Sequence, residues 1–192
     1  MESSGCAVSP TYTLKGWFGA RVMAPGTGFF LNDAMDDFSI KPGTPNMFGI
    51  IGSEANDIQP GKTPLSSMTP TVVSRDGKTV MVIGSPGGSR IPTIVLSVIT
   101  GVIDYHLDIQ QAIDLPRFHE QWKPSTIEVE AGAVSAAVAR TLEQQGYILH
   151  EHAVWGMPEG IVTGTLAPAG SDRSSFFGGV DRRHPGGAAV GE

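Results

Sequence analysis

A pair of glycines, Gly87 and Gly88, lies where an apolar strand over residues 80–83 is expected to meet a helix over residues 91–103. Pro92 falls in the first turn of that helix, a position that proline favours. Glycine has no Cβ, so the backbone can come close to a ligand, and the amide N–H groups at a helix start attract negative charge. In acyl transfer such a turn stabilises the oxyanion. The alternative is that the glycine pair only provides a tight connection between the strand and the helix.

Two neighbouring serines and one aspartate could bind a small ligand. Ser66 and Ser67 offer adjacent hydroxyl and backbone donors suited to a carboxylate, whereas Asp37 could hold an ammonium group. Together they would recognise the α-carbon end of an amino acid. The alternative for Asp37, and for Asp33 and Asp36, is a set of solvated turn carboxylates or a weak cation site. Their spacing lacks the glycine and the terminal Glu of a calcium loop.

Several other chemistries are excluded by the residues. A serine-hydrolase elbow around Ser85 needs a glycine two residues earlier, where this chain has Ile83. No Gly-Lys-Ser/Thr follows the glycine turn, so it is not a phosphate loop. The five histidines show no metal-ligand spacing, and the one cysteine, Cys6, cannot form an intramolecular disulfide. A net charge of -6 without a basic run argues against nucleic acid or an anionic membrane surface as partner.

The elements that would position these residues form one α/β (α+β) unit over residues 1–192, with antiparallel hairpins. Asp76 and Gly77 give the strongest hairpin signal. Asp108 and Ser135 are expected to cap two helices, the second ending at Gly146. Strands are predicted at residues 7–14, 71–75, 78–83, 126–130, 147–150 and 161–166, with a loop and a short strand over 19–31, a loop over 41–62 and weak patterning from 167 onward. The apolar run over 91–103 is too short to span a bilayer and is predicted to be a buried helix.

Seven segments in combination resemble the small subunit of γ-glutamyltranspeptidase. They are residues 11–14 (TYTL), 25–28 (PGTG), 31–39 (LNDAMDDFS), 41–43 (KPG), 64–71 (PLSSMTPT), 84–90 (GSPGGSR) and 112–122, which contains PRFH. The resemblance covers nearly the whole chain. It implies the fold of the N-terminal nucleophile hydrolases, a four-layer αββα sandwich made by a precursor that cuts itself into large and small subunits. It also implies transfer of the γ-glutamyl group of glutathione and related amides to water or to an amino acid.

The resemblance implies a role for each candidate residue. Gly87 and Gly88 would form the oxyanion hole, Ser66 and Ser67 would bind the substrate α-carboxylate, Asp37 would bind the α-ammonium, and Thr13 would support the nucleophile. The nucleophile itself is a threonine that the resemblance places upstream of Met1, with residues 1–5 lying inside the turn that follows it. The family needs no cofactor or metal. Because that threonine supplies both hydroxyl and base, we expect residues 1–192 alone to be inactive.

Two departures from the family pattern bear on the substrate. Lys15 replaces the usual Asn of the Thr-Leu-Asn step, and Ala34 replaces a Gln or Glu before Met-Asp-Asp. Both family residues help to hold the glutamyl amino group, and a lysine nearby would repel an ammonium. An acyl chain without the amino group, such as the glutaryl group handled by related cephalosporin acylases, is therefore a competitor.

Other interpretations remain at this point. One is a noncatalytic binding domain, or a decayed fragment, that keeps the serines but has lost the nucleophile. Another is an α/β domain whose glycine turn is only structural. The enzyme interpretation implies the large subunit of the same precursor and a γ-glutamyl small molecule as partners, with no nucleic acid and no membrane contact from this chain. The family resemblance implies a periplasmic or extracellular location.

Overall fold

The computed structural model describes residues 1–2, 5–172 and 174–191. It mixes helices with two β-sheets, as the α+β prediction requires. The strands are β1 (Thr71–Arg75), β2 (Lys78–Gly84), β3 (Phe118–His119), β4 (Thr126–Val129), β5 (Ile148–Glu151), β6 (Glu159–Thr163) and β7 (Phe176–Val180). The α-helices are α1 (Ile91–Ile103), α2 (Ile109–Asp114) and α3 (Ala136–Gln144). Ser3 and Ser4, which belong to the opening turn implied by the resemblance, lie outside the described residues.

The larger sheet is antiparallel, with strand order β1-β2-β6-β7. Its first hairpin turns at Asp76 and Gly77, which have φ values of 53° and 75°. Two positive φ angles match the twist of a two-residue hairpin, and Asp-Gly is a favoured pair there. Residues 80–83 of β2 are all buried, and β2 is an inner strand that pairs with β1 on one side and with β6 on the other. β2 then leads directly into the glycine turn.

Helix α1 packs against this sheet and forms the core together with α2. The core side chains are Met81, Ile83, Ile91, Val95, Val98, Val102, Ile109, Ala112, Ile113 and Val162. Gly101 allows the two helices to approach, since a Cβ at this position would lie 3.0 Å from the Cβ of Ala112. Asp108 starts α2 with a reciprocal capping box to Gln111, as predicted. The glycine turn is therefore held between a buried strand and a buried helix.

The smaller sheet has the order β3-β4-β5. β4 and β5 are parallel, and α3 makes the crossover between them. The predicted cap of α3 is confirmed, because the Ser135 hydroxyl accepts a hydrogen bond from the Val138 amide at 3.3 Å. None of the helices in the described ranges has the length and apolarity needed to cross a membrane.

Some predicted elements are wrong or shifted. Residues 7–14 form no strand ladder: Pro10 has no N–H to donate, and the segment is tied to β2 by the Ser9 hydroxyl, which donates to the Ile83 carbonyl at 2.8 Å. The short strand predicted within 19–31 is reduced to a single bridge between Met23 and Phe30. β6 covers Glu159–Thr163 instead of 161–166. Strands β3 and β7 were not predicted.

A buried charge cluster connects the segment after β7 to the segments next to β3 and β4. Arg117, whose side chain is 2% exposed, places Nη2 2.9 Å from Asp181 Oδ2 and Nη1 3.6 Å from Glu130 Oε1. Arg183 closes the cluster, with Nη1 2.6 Å from Glu130 Oε2 and Nη2 2.8 Å from Asp181 Oδ2. The Arg117 guanidinium also donates to the carbonyls of Ile113 and Trp155. Each buried carboxylate therefore has two cationic partners.

Candidate functional site

The glycine turn presents two backbone amides that have no partner among the described residues. Gly87 has φ 152° and Gly88 has φ 59°, both in the region that favours glycine. Throughout residues 1–2, 5–172 and 174–191, neither of these N–H groups donates a hydrogen bond to the protein. Backbone N–H groups without a partner are uncommon in folded proteins, and two in succession at a helix start suit an anion.

Ser67 lies against this turn. Its hydroxyl donates to the Gly88 carbonyl at 2.9 Å. The neighbouring Ser66 hydroxyl accepts a hydrogen bond from the Met68 amide at 3.2 Å and is exposed. The Ser67 proton is thus used to hold the turn, whereas the Ser66 proton is left for a ligand. Ser67 and Gly88 are therefore in direct contact, the two serines are not equivalent, and their shared role in one binding site stays a prediction.

The Phe48 ring lies next to both the glycine turn and the lysine that is paired with Asp37. A Cβ built on Gly88 would lie 2.8 Å from Cδ1 of the Phe48 ring. The Lys15 ammonium lies 5.3 Å from the centroid of the same ring, and it is bonded to Asp37. Sequence reasoning missed Phe48, because it lies in a Pro- and Gly-rich loop without periodicity.

Asp37 is paired within the chain. Lys15 Nζ lies 2.5 Å from Asp37 Oδ1 and 3.2 Å from Asp36 Oδ2. The Lys15 side chain is 2% exposed, and each carboxylate is 28% exposed. Asp33 accepts a hydrogen bond from the Gly16 amide at 2.9 Å. The alternative of fully solvated turn carboxylates is therefore wrong, and the cation beside them is the chain's own lysine.

Asn56 connects the Asp37 segment to the serine segment. Its side-chain amide donates to the Asp37 carbonyl at 2.8 Å, and its Oδ1 accepts from the Leu65 amide at 3.0 Å. Leu65 immediately precedes Ser66, so one side chain fixes the spacing between the two proposed binding groups. No local sequence pattern indicates this role.

An open groove of about 1150 Å³ lies between these loops. Its wall includes Asp37, Asn56 and Ser67, together with Trp122 from a distant part of the sequence. Among the described residues, the lining of this groove does not include Ser66, Thr13 or the glycine turn. The glycine turn is connected to the groove wall by the hydrogen bond from the Ser67 hydroxyl to the Gly88 carbonyl. Thr13 is exposed, and its hydroxyl accepts from the Lys15 amide at 2.7 Å.

Arg90 braces the far end of the glycine turn. Its Nε donates to Glu128 Oε2 at 2.6 Å, and its guanidinium carbon lies 5.4 Å from the Trp155 ring centroid. The hydrogen bond from Arg90 lowers the pKa of Glu128, while partial burial opposes the shift. Ser85 is buried and bonded to the Pro86 carbonyl and the Met157 amide, so its hydroxyl has a structural role. No group of three or more potential metal ligands occurs within the described ranges.

Comparison with known proteins extends this description. A family model described as Gamma-glutamyltranspeptidase matches residues 1–191. The glutathione hydrolase proenzyme of Pseudomonas sp. strain A14 is 48% identical over 193 residues, covering 100% of this chain and 34% of that relative. The glutathione hydrolase proenzyme of Escherichia coli K12 is 46% identical over 164 residues, covering 85% of this chain and 28% of that relative. The chain therefore spans about a third of the length of these curated relatives.

A solved structure gives the same result for the fold. The crystal structure of a T380A mutant of Helicobacter pylori γ-glutamyltranspeptidase superposes with a TM-score of 0.88 at 43% identity, covering 96% of this chain and 97% of that chain. The fold is thus the small-subunit portion of an N-terminal nucleophile hydrolase sandwich, as predicted. With the family model matching almost every residue, the chain belongs to the γ-glutamyltranspeptidase family.

Proposed function

We propose that the complete protein containing this chain hydrolyses or transfers the γ-glutamyl group of glutathione and related amides. The observation that carries the proposal is the pair of amides at Gly87 and Gly88, which have no partner in the part of the chain that the structure describes, with Ser67 bonded to the Gly88 carbonyl. Curated relatives named glutathione hydrolase proenzyme support it. The remainder of the precursor would contribute the nucleophilic threonine and the large subunit.

The mechanism assigns one task to each part of the site. The threonine hydroxyl attacks the γ-carbonyl carbon, and its proton passes to the threonine's own amine. The negative charge that develops on the carbonyl oxygen is stabilised by the Gly87 and Gly88 amides. The amide C–N bond then breaks, and the leaving amine takes the proton. Water or an amino acid amine then attacks the ester carbon, the ester C–O bond breaks, and the threonine oxygen takes the attacking group's proton as the acyl product leaves.

The exposed apolar surface supports docking of a large subunit. Large apolar side chains are exposed along the segment from residue 12 to 31. They include Tyr12 (90% exposed), Trp17 (84%), Phe18 (62%) and Phe29 (56%). Contiguous exposed apolar groups favour association with another surface. The periplasmic or extracellular location implied by the family stays a prediction, and cell fractionation would test it.

The direct test is expression of the complete reading frame. The purified product is expected to consist of two subunits and to release p-nitroaniline from γ-glutamyl-p-nitroanilide and glutamate from glutathione. Residues 1–192 expressed alone serve as the control and are expected to release neither product. A full-length product that stays uncleaved and binds γ-glutamyl compounds without turnover would favour the noncatalytic binding domain instead.

The two serines are expected to affect different kinetic constants. Ser66→Ala removes a donor to the substrate carboxylate and should raise KM by about 10- to 100-fold, the range for a hydrogen bond to a charged group. Ser67→Ala releases the Gly88 carbonyl and should lower kcat by about three- to tenfold. The control is Ser74→Ala, an exposed serine on β1. If Ser66→Ala behaves like Ser74→Ala in steady-state kinetics, the assignment of Ser66 is wrong.

A further inference from the structure

Lys15 occupies the position at which Asp37 would meet a substrate ammonium. Its Nζ lies 2.5 Å from Asp37 Oδ1 and 3.2 Å from Asp36 Oδ2, and its side chain is 2% exposed. The Phe48 ring lies below the ammonium, with the centroid at 5.3 Å. Two carboxylates and one aromatic face enclose this cation as they would enclose the amino group of a ligand.

The backbone at Lys15 is held in an unfavourable conformation. Its φ is 73°, in the left-handed region that lysine disfavours and that asparagine tolerates better. The turn is fixed on both sides, since the Lys15 amide donates to the Thr13 hydroxyl at 2.7 Å and the Gly16 amide donates to Asp33 Oδ1 at 2.9 Å. Such backbone strain concentrates at functional positions. Here the fixed turn directs the lysine side chain onto Asp37.

An incoming α-ammonium has two unfavourable options at this place. If it displaces Lys15 from Asp37, a buried lysine loses its counter-ions, which is strongly unfavourable. If Lys15 stays, two ammonium groups share the same carboxylates at short range and repel each other. An acyl donor whose α-carbon carries no amino group avoids both costs. Its terminal carboxylate can still accept the free Ser66 proton.

We propose that Lys15 acts as a built-in counter-ion for Asp37 and directs the enzyme to ω-carboxyacyl amides, such as glutaryl amides, over γ-glutamyl amides. The inference rests on the acyl transfer proposed above and changes its preferred acyl donor, with γ-glutamyl amides remaining as slower substrates. The steps are those of the amide hydrolysis described above. The acyl C–N bond breaks, the amine leaves with a proton, and water adds its hydroxyl to the acyl carbon to give the dicarboxylic acid.

The experiment compares two anilides on the complete, self-cleaved enzyme. Glutaryl-p-nitroanilide is expected to have a higher kcat/KM than γ-glutamyl-p-nitroanilide. Lys15→Asn, which restores the usual family residue, should shift the ratio of the two kcat/KM values towards the γ-glutamyl substrate by at least about tenfold, mainly through its KM. Lys78→Asn makes the same charge change at an exposed lysine that begins β2, and it should leave the ratio unchanged.

Binding provides a readout that does not depend on turnover or on a variant. In calorimetric titration of the unmodified enzyme, glutarate is expected to bind at least about tenfold more tightly than L-glutamate. A wild-type preference for γ-glutamyl amide, together with an unchanged ratio in Lys15→Asn, would overturn the role of Lys15 and leave the proposed function intact. Failure to cleave either anilide would overturn the proposed function, and tighter binding of L-glutamate would then refute the role of Lys15 independently.

Discussion

Replacing Gly88 with alanine is expected to lower kcat of the complete enzyme by about 100- to 1,000-fold, the typical effect of losing one oxyanion donor. Two features make this position sensitive. Its φ of 59° disfavours any residue with a side chain, and the added Cβ would lie 2.8 Å from the Phe48 ring. The added Cβ also lies 3.1 Å from the ring's Cγ, next to the backbone of Phe48, so the turn shifts to relieve the contact and the Gly88 amide would no longer point at the developing charge.

Steady-state kinetics on the purified, cleaved enzyme measure this effect, and KM should change little since the carboxylate-binding serine is untouched. Gly170→Ala is the matched control, because Gly170 also has a positive φ, 93°, but a Cβ there meets nothing within 4 Å. It should keep wild-type kcat. Comparable kcat values for the Gly88 and Gly170 variants would show that the turn is only a structural connection.

The elements that sequence predicted well are those with local signals. The β1–β2 hairpin follows from Asp76 and Gly77, and α1 follows from its continuous apolar run. β7 could not be predicted in the same way, since Gly178 and Gly179 weaken its strand pattern. Those glycines are required by packing: a Cβ on Gly179 would lie 2.9 Å from the Ile113 side chain. This packing requirement cannot be predicted from the local sequence, because it arises only where α2 packs on the sheet.

The candidate site shows the same difference between residues with local sequence signals and residues whose role depends on long-range contacts. Gly87 and Gly88 could be found from the strand, turn and helix around them, and Asp37 from its resemblance to a family motif. The family resemblance places Lys15 near the ammonium site, but its ion pair with Asp37 could not be predicted, because it depends on the turn that brings residues 22 positions apart into contact. Asn56 depends likewise on the folding of a long irregular loop, in which side chains rather than a regular hydrogen-bond pattern fix the distances.

The second large effect is expected for stability. Arg117→Met should lower the free energy of unfolding by about 3–5 kcal/mol, the range for breaking a buried ion pair by removing one partner. Asp181 and Glu130, whose side chains are 1% and 2% exposed, would keep Arg183 as their shared cation. The carbonyls of Ile113 and Trp155 would lose their donors at the same time, so the volume of methionine cannot compensate.

Arg182→Met is the matched control because it removes the same charge one residue from the cluster. The Arg182 side chain is 70% exposed and lies 3.9 Å from Asp114, so its loss should cost no more than about 1 kcal/mol. Denaturant unfolding of the assembled protein, followed by circular dichroism, compares the two midpoints at equal slope. If the two variants unfold at the same denaturant concentration, the cluster does not stabilise the joint between the sheets, and burial of Arg117 needs another explanation.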